Sequence, residues 1–169
     1  GPHSSVMREL GNKVAARALA ERVQVPVVPA TQALPRDSDE CLALAADIGY
    51  PLMLKASWGG GGRGMRAINQ AEELAPAIDL ARREAASAFG NDELYLEKMV
   101  VRARHVEVQV MGDQHGQLVH LFERDCSVQR RNQKVVERAP APFLSEAQRQ
   151  SLCQSALKLA RGVNYTHAG

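Results

Sequence analysis

Apolar residues recur at helical spacing from Val6 to Val23, through Val6, Leu10, Val14, Ala18 and Leu19. Gly11-Asn12 interrupts the run, and Asn12 is suited to cap a second helix. Pro26-Val27-Val28-Pro29 reads as a short extended piece, and residues 30–37 read as a loop. Asp37 or Ser38 can open a helix that runs to about Ile48, with Gly49 closing it and Pro51 just beyond. Leu52 to Ala56 predicts a strand, and Met65 to Ile68 resumes an extended pattern after the glycine-rich stretch Ser57-Trp58-Gly59-Gly60-Gly61-Gly62-Arg63-Gly64. Helical spacing returns over 70–88 through Leu74, Ile78 and Ala81 or Ala85, and Leu94 to Met99 predicts another strand.

From His105 to Met111 the chain alternates, with Val106, Val108 and Val110 on one side and His105, Glu107 and Gln109 on the other. A turn at residues 112–116 leads to a second strand from about Gln117 to Asp125. Residues 128–138 are polar, basic and extended in character. Ser145-Glu146-Ala147-Gln148 matches a capping box and opens a helix through Leu152, Ala156 and Leu159. The element order is helices, a small unit of strands and helices near 28–99, and then the start of an antiparallel sheet. That order predicts an α+β protein. After Ala168-Gly169 a further strand is expected, and a sheet left open at that edge would invite self-association.

Composition narrows the class. A chain of 169 residues with 45% hydrophobic and 24% charged residues is ordinary for a globular protein, and 4% aromatics leave the core to aliphatic side chains. No apolar run approaches membrane-spanning length, so no membrane partner is expected. A net charge of +2 gives little reason to expect nucleic acid. Cys41, Cys126 and Cys153 form no C-x-x-C pair, which argues against a structural zinc or a disulfide framework. A reducing setting fits, and a cytoplasmic location is expected. Gly1-Pro2-His3-Ser4 reads as a foreign protease-cleavage scar and is set apart from the fold, giving expected divisions of 1–27, 28–99 and 100–169.

Candidate chemistry begins at the glycine loop. Consecutive glycines expose backbone N–H groups and let a bulky anion approach closely, Arg63 and Arg66 add charge, and Lys55 ends the strand that enters the loop. No Gly-Lys-Ser/Thr follows, and the loop leads to a strand, so it is neither a P-loop nor a dinucleotide fingerprint. Phosphate binding is the reading favoured over a bare hairpin tip. On pattern alone, the polar face of 105–111 is read as the solvated surface of a half-exposed sheet in preference to a functional face. Clustered cations and amides in Gln129-Arg130-Arg131-Asn132-Gln133-Lys134 suit an oxyanion. Base stacking would need interleaved aromatics, which this stretch lacks. No pair of acids reads as a metal site.

Gly11-Asn12-Lys13, Lys55-Ala56-Ser57-Trp58 with the loop through Met65-Arg66, Glu97-Lys98, Arg104-His105-Val106-Glu107, and Glu123 through Pro142 together resemble the ATP-grasp core of biotin carboxylases. Trp58, Asn132 and the stretch 136–142 are most similar to the bacterial pyruvate carboxylase branch. The resemblance covers nearly all of residues 6–169. It implies a complete small lid subdomain, residues 28–99, and the first part of the larger ATP-grasp subdomain. It implies that Lys13 and Lys55 contact ATP phosphates and that the loop of Gly59, Gly60, Gly61, Gly62 and Gly64, with Met65, closes over them. Glu97, the Lys98 backbone and Val100 would line the adenine pocket, His105 would lie near the ribose, and Gln129 and Asn132 would lie further along the cleft. Lys134 would be the catalytic cation, holding bicarbonate or carboxyphosphate. Cys126 reads as a buried, inert thiol.

The implied cofactors are ATP, Mg²⁺ and biotin on a separate carrier domain, with bicarbonate as substrate. The implied partners are the remainder of the biotin carboxylase domain, the carrier domain, and further copies of the parent in a homo-oligomer. The family's magnesium-binding carboxylates lie beyond Gly169, so this chain alone is expected to be inactive. The competing readings are the biotin carboxylase subunit of an acyl-CoA carboxylase and, in another class, a non-catalytic nucleotide-binding or interaction module.

Overall fold

A computed structural model describes residues 1–60 and 64–169. Five helices and seven strands are described: α1 (Ser4–Gly11), α2 (Lys13–Arg22), α3 (Ser38–Ile48), β1 (Leu52–Ala56), β2 (Arg66–Ile68), α4 (Leu74–Phe89), β3 (Leu94–Lys98), β4 (Val106–Gly112), β5 (Leu118–Arg130), β6 (Gln133–Arg138), α5 (Glu146–Gly162) and β7 (His167–Ala168). A 3-10 turn at Ala71–Glu73 leads into α4. The strands form two antiparallel sheets, ordered β2-β1-β3 and β6-β5-β4-β7. The chain divides into two compact units. The first comprises Gly1–Leu10, Ala16–Pro26 and Arg102–Gly169, and the second comprises Gly11–Ala15 and Val27–Val101.

The second unit is built on the β1–β3 pair. Leu52, Leu54 and Ala56 on β1 and Leu94 and Leu96 on β3 alternate toward one face and are buried there. They meet Cys41 and Ala45 of α3 and Leu74, Ile78, Ala81 and Ala85 of α4, whose spacing draws one apolar stripe down that helix. The α3 ends follow the residues that specify them. Asp37 Oδ1 accepts from Glu40 N at 2.9 Å, and Gly49 adopts φ 80° to close the helix. Lys98 Nζ donates to Gly49 O and Tyr50 O, both at 2.8 Å, putting a cation at the C-terminal end of α3.

The first unit is organised by α5 against the inner face of β4 and β5. Ser145 and Gln148 form the expected capping box at the start of α5. The buried stripe of α5 is Cys153, Leu157 and Ala160, one residue on from the predicted Leu152, Ala156 and Leu159. The difference has a packing cause: Leu157 and Ala160 meet Val110, whereas Leu159 turns aside to the cluster of Val6, Leu19 and Val163. α5 thus serves two apolar surfaces, which a single-face reading does not anticipate. Ser4, set aside on sequence as foreign, opens α1, and His3 O accepts from Met7 N at 3.0 Å. The strand expected over 117–125 runs on to Arg130, and β6 pairs with its second half. A short strand not anticipated from the sequence, β7, occupies His167–Ala168 and pairs with Met111 and Gly112.

Glu123 lies on the inner face of β5 and is 1% exposed. Arg149 of α5 donates through Nε to both of its oxygens, at 2.9 and 3.1 Å, and Ala141 N donates to Oε1 at 3.0 Å. A buried carboxylate is tolerable only with such partners. The charge pair ties α5 and the loop 139–142 to the sheet.

The apolar face of β1 and β3 is expected to dominate the stability of the second unit. Leu96 is 0% exposed, so Leu96→Ala is expected to cost about 2–5 kcal/mol. The check is the urea midpoint followed by circular dichroism.

Candidate functional site

In the second unit the polar groups gather at the stem of the glycine loop. Asn12 breaks α1 from α2, its Oδ1 accepting from Ala15 N at 2.9 Å and its Nδ2 donating to Glu93 Oε1 at 3.2 Å. This anchors Lys13, whose backbone N donates to Ser57 O at 2.9 Å. Lys13 Nζ donates to Ala56 O at 3.1 Å and to Gly59 O at 2.6 Å. Burial, with the nearby Lys55 ammonium adding to it, holds the Lys13 ammonium below its ordinary value. Gly59 has φ 97°, and a Cβ there would lie 2.4 Å from the Phe89 ring, so only glycine fits. Lys55 Nζ lies 2.5 Å from Glu97 Oε1. The sequence-predicted Lys13, Lys55, Gly59, Gly60, Gly64, Met65, Glu97, Lys98 and Val100 all belong to this unit, and Gly61 and Gly62 lie outside the described residues. Met65 and Val100 are exposed. The Lys98 side chain is engaged by the α3 terminus.

In the first unit the polar face of β4, opposite α5, carries an ion network. Val106, Val108 and Val110 share a face with their partners Asp125, Glu123 and His120, which leaves Glu107 and its partner Arg124 on the other face. Arg124 donates to Glu107 Oε1 through Nε at 3.1 Å and also through Nη2, and Nη1 donates to Gln109 Oε1 at 2.9 Å. Lys134 of β6 donates to Glu107 Oε2. The Lys134 hydrogen bond, with Arg124 beside it, outweighs desolvation and lowers the Glu107 carboxyl below its ordinary range. The same hydrogen bond raises the Lys134 ammonium. Lys134 is thus held as a cation on a fixed carboxylate. The face that suited a solvated surface on sequence is a charge network instead. Glu107 and Arg124 are the residues the sequence reading did not assign, although period-two alternation put Glu107 beside His105.

Beside this network, a cavity of about 450 Å³ is lined by Ala103, Arg104, His105, Val106, Ser127 and Gln129. Gln129 Nε2 donates to Cys126 O at 2.8 Å and to His105 Nδ1 at 2.6 Å. With Nδ1 accepting, the neutral ring carries its proton on Nε2. Asn132 sits in the two-residue turn between β5 and β6, where Arg131 has φ 50° and Asn132 has φ 63°. Such primed turns favour Asn, which is a local reason for the residue. Cys126 is buried and free, and burial raises its thiol above the ordinary value.

Glu107, Cys126 and Glu137 offer ligand atoms within 4.8 Å of one another. Glu107 is already neutralised by Lys134 and Arg124, and Mg²⁺ requires oxygen ligands in octahedral array. A thiol and an engaged carboxylate do not fit that ion.

The charge network makes stability pH-dependent. The Glu107 carboxyl is lowered, so its contribution is present above its ordinary value of 4.5 and is lost as pH falls through the folded value. Glu123 behaves likewise, since Arg149 and backbone donors outweigh its burial. The urea midpoint is expected to fall on acidification below about pH 4.5. Glu107→Gln is expected to flatten that dependence, and a profile as steep as that of the unaltered chain would count against the network.

Residues 12–169 match the carbamoyl-phosphate synthase L chain ATP-binding domain. The chain is 51% identical over its whole length to pyruvate carboxylase 1 of Caenorhabditis elegans, covering 14% of that protein. It is 47% identical to biotin carboxylase 2 of Bacillus subtilis, again over its whole length and 38% of the relative. A structure of Rhizobium etli pyruvate carboxylase with acetyl coenzyme A superposes with a TM-score of 0.92 at 65% identity, over 99% of this chain and 14% of that one. The chain therefore spans well under half the length of these relatives. The alignments over all 169 residues include Gly1–Ser4. Match and superposition together show that this chain belongs to the carbamoyl-phosphate synthase L chain ATP-binding domain family, with the ATP-grasp fold of the biotin-dependent carboxylases.

Proposed function

We propose that this chain is part of the biotin carboxylase region of a pyruvate carboxylase, supplying phosphate-binding and bicarbonate-binding groups for ATP-driven carboxylation of biotin. The observation that carries the reading is the meeting of Lys13 with the glycine-loop stem, beside Lys55 on the same small unit. Two ammonium groups at the stem of a glycine-rich stretch would suit a polyphosphate, and phosphoryl transfer depends mainly on such positioning and charge neutralisation. Glu97, the Lys98 backbone and Val100 would receive the adenine and His105 the ribose edge, with Gln129 and Asn132 further along.

In this reading Lys134 attracts bicarbonate as a cation, oriented by Glu107, and stabilises the charge of the carboxyphosphate formed when a bicarbonate oxygen attacks the terminal phosphorus of ATP and ADP leaves. The carboxyl group then passes to biotin on a carrier domain as inorganic phosphate is released, and in the parent enzyme from biotin on to pyruvate, giving oxaloacetate. Mg²⁺ would supply further neutralisation of the phosphate charge. No acid cluster among the described residues suits that ion, so its ligands are assigned to other parts of the parent and no turnover is expected from this chain alone. The 44% identity with the propionyl-CoA carboxylase alpha chain of Ruegeria pomeroyi supports the acyl-CoA carboxylase subunit as the second reading.

Calorimetric titration with MgATP tests the cradle. Saturable binding is expected in the unaltered chain, with affinity reduced by at least about tenfold in Lys55→Ala and Lys13→Ala, equivalent to about 1.4 kcal/mol or more. Equal affinity in all three would overturn the phosphate assignment.

A further inference from the structure

Lys55 and Glu97 enter the functional reading separately, one as a phosphate ligand and the other beside the adenine, but the fold joins them. In the β1–β3 register Lys55 faces Tyr95 and Met53 faces Glu97, so Lys55, Tyr95 and Glu97 share one face and Lys55 meets Glu97 diagonally. Lys55 Nζ is 2.5 Å from Glu97 Oε1, and Tyr95 Oη donates to Oε2 at 3.4 Å. The Glu97 backbone is held from its other side by a bridge to Ala30. The two side chains retain 20% and 19% exposure, enough for a solute anion to reach them and too little for water to screen them fully. Lys13 is bonded to two neutral carbonyls and lies close enough to Lys55 for the two ammonium groups to repel.

Among the described residues the two lysines are engaged differently, Lys13 by neutral carbonyls and Lys55 by a carboxylate, and that carboxylate sits on the lysine that a phosphate would need. We propose that Glu97 is the resident counter-ion of the cradle, holding Lys55 in the empty site and giving it up to an incoming polyphosphate. This rests on the phosphate reading above. Two consequences follow from charge alone. Glu97 keeps Lys55 in place without a ligand, and it weakens polyphosphate binding because the ion pair must be broken first. The cradle thereby gains selectivity for a multiply charged anion, which can replace the lost carboxylate, over a singly charged one.

Inorganic tripolyphosphate is the appropriate probe, since it lacks the adenine that Glu97 is also expected to meet. Its affinity for the full chain is measured by calorimetry in the unaltered protein, Glu97→Gln, Glu97→Asp, Lys55→Ala and the Glu97→Gln/Lys55→Ala double variant, with thermal melts as the folding control. Glu97→Gln is expected to bind about three to ten times more tightly. Glu97→Asp keeps the charge and is expected to stay near the unaltered value. Lys55→Ala is expected to bind weakly, and the double variant equally weakly, because the Glu97 effect acts through Lys55. Unchanged or weaker binding in a folded Glu97→Gln, while Lys55→Ala still loses affinity, would overturn this inference alone. Equal tightening in Glu97→Asp would overturn it as well. An absence of tripolyphosphate binding in every form would remove the phosphate reading and this inference with it.

Discussion

Strict alternation across the antiparallel β1–β3 pair is the constraint on which the second unit depends. Leu52, Leu54, Leu94 and Leu96 are fully buried on one face. Because side chains repeat every second residue, the same register sends Lys55, Tyr95 and Glu97 to the other. A slip of one residue would bury the lysine and carboxylate against α3 and α4 and expose the leucines. The apolar core thus sets the position of the charged groups, and the glycine loop begins where β1 leaves that register. Asn12 adds the second fixed point by breaking the helical run so that Lys13 reaches the Gly59 carbonyl.

The first unit obeys the same rule but departs from it where the strand register shifts. Between Val108 and Val110 the register slips where β5 carries an extra residue at Leu121–Phe122, with Phe122 at φ 61°. The bulge turns Glu123 inward, to Arg149 and the Ala141 N–H, while its neighbour Arg124 faces outward to Glu107. Adjacent charged residues therefore serve opposite purposes. Glu123 fastens α5 and the loop 139–142 to the sheet, and Arg124 with Lys134 fixes the Glu107 carboxylate on the polar face. A cation so held needs little rearrangement to meet an oxyanion, which is the physical content of a preorganised electrostatic site.

Much of this was legible along the chain because local rules carry it. Helix periodicity located α3 and α4, Asp37 and Gly49 marked the ends of α3, and the Ser145 capping box located the start of α5. The glycine run and its flanking lysine pointed to an anion site before any geometry was available. The inward stripe of α5 was read one residue out of place, since that helix meets two clusters at once and periodicity records only one direction. Asn132 carried a suggested nucleotide role, and its positive φ supplies a turn requirement as well. The ionic role of Glu107 was hidden because a half-buried carboxylate and a solvated one look alike in an alternating strand.

The sequence by itself determined the elements, their order, the α+β class and the residue types able to meet phosphate and bicarbonate. Each of those follows from interactions between near neighbours in the chain. Only the tertiary structure decided which charges meet: Lys55 with Glu97, Lys134 and Arg124 with Glu107, and Glu123 with Arg149. These partners lie far apart in sequence, and their pairing is fixed by strand register, its local shifts and the packing of α5, none of which is encoded in any local window.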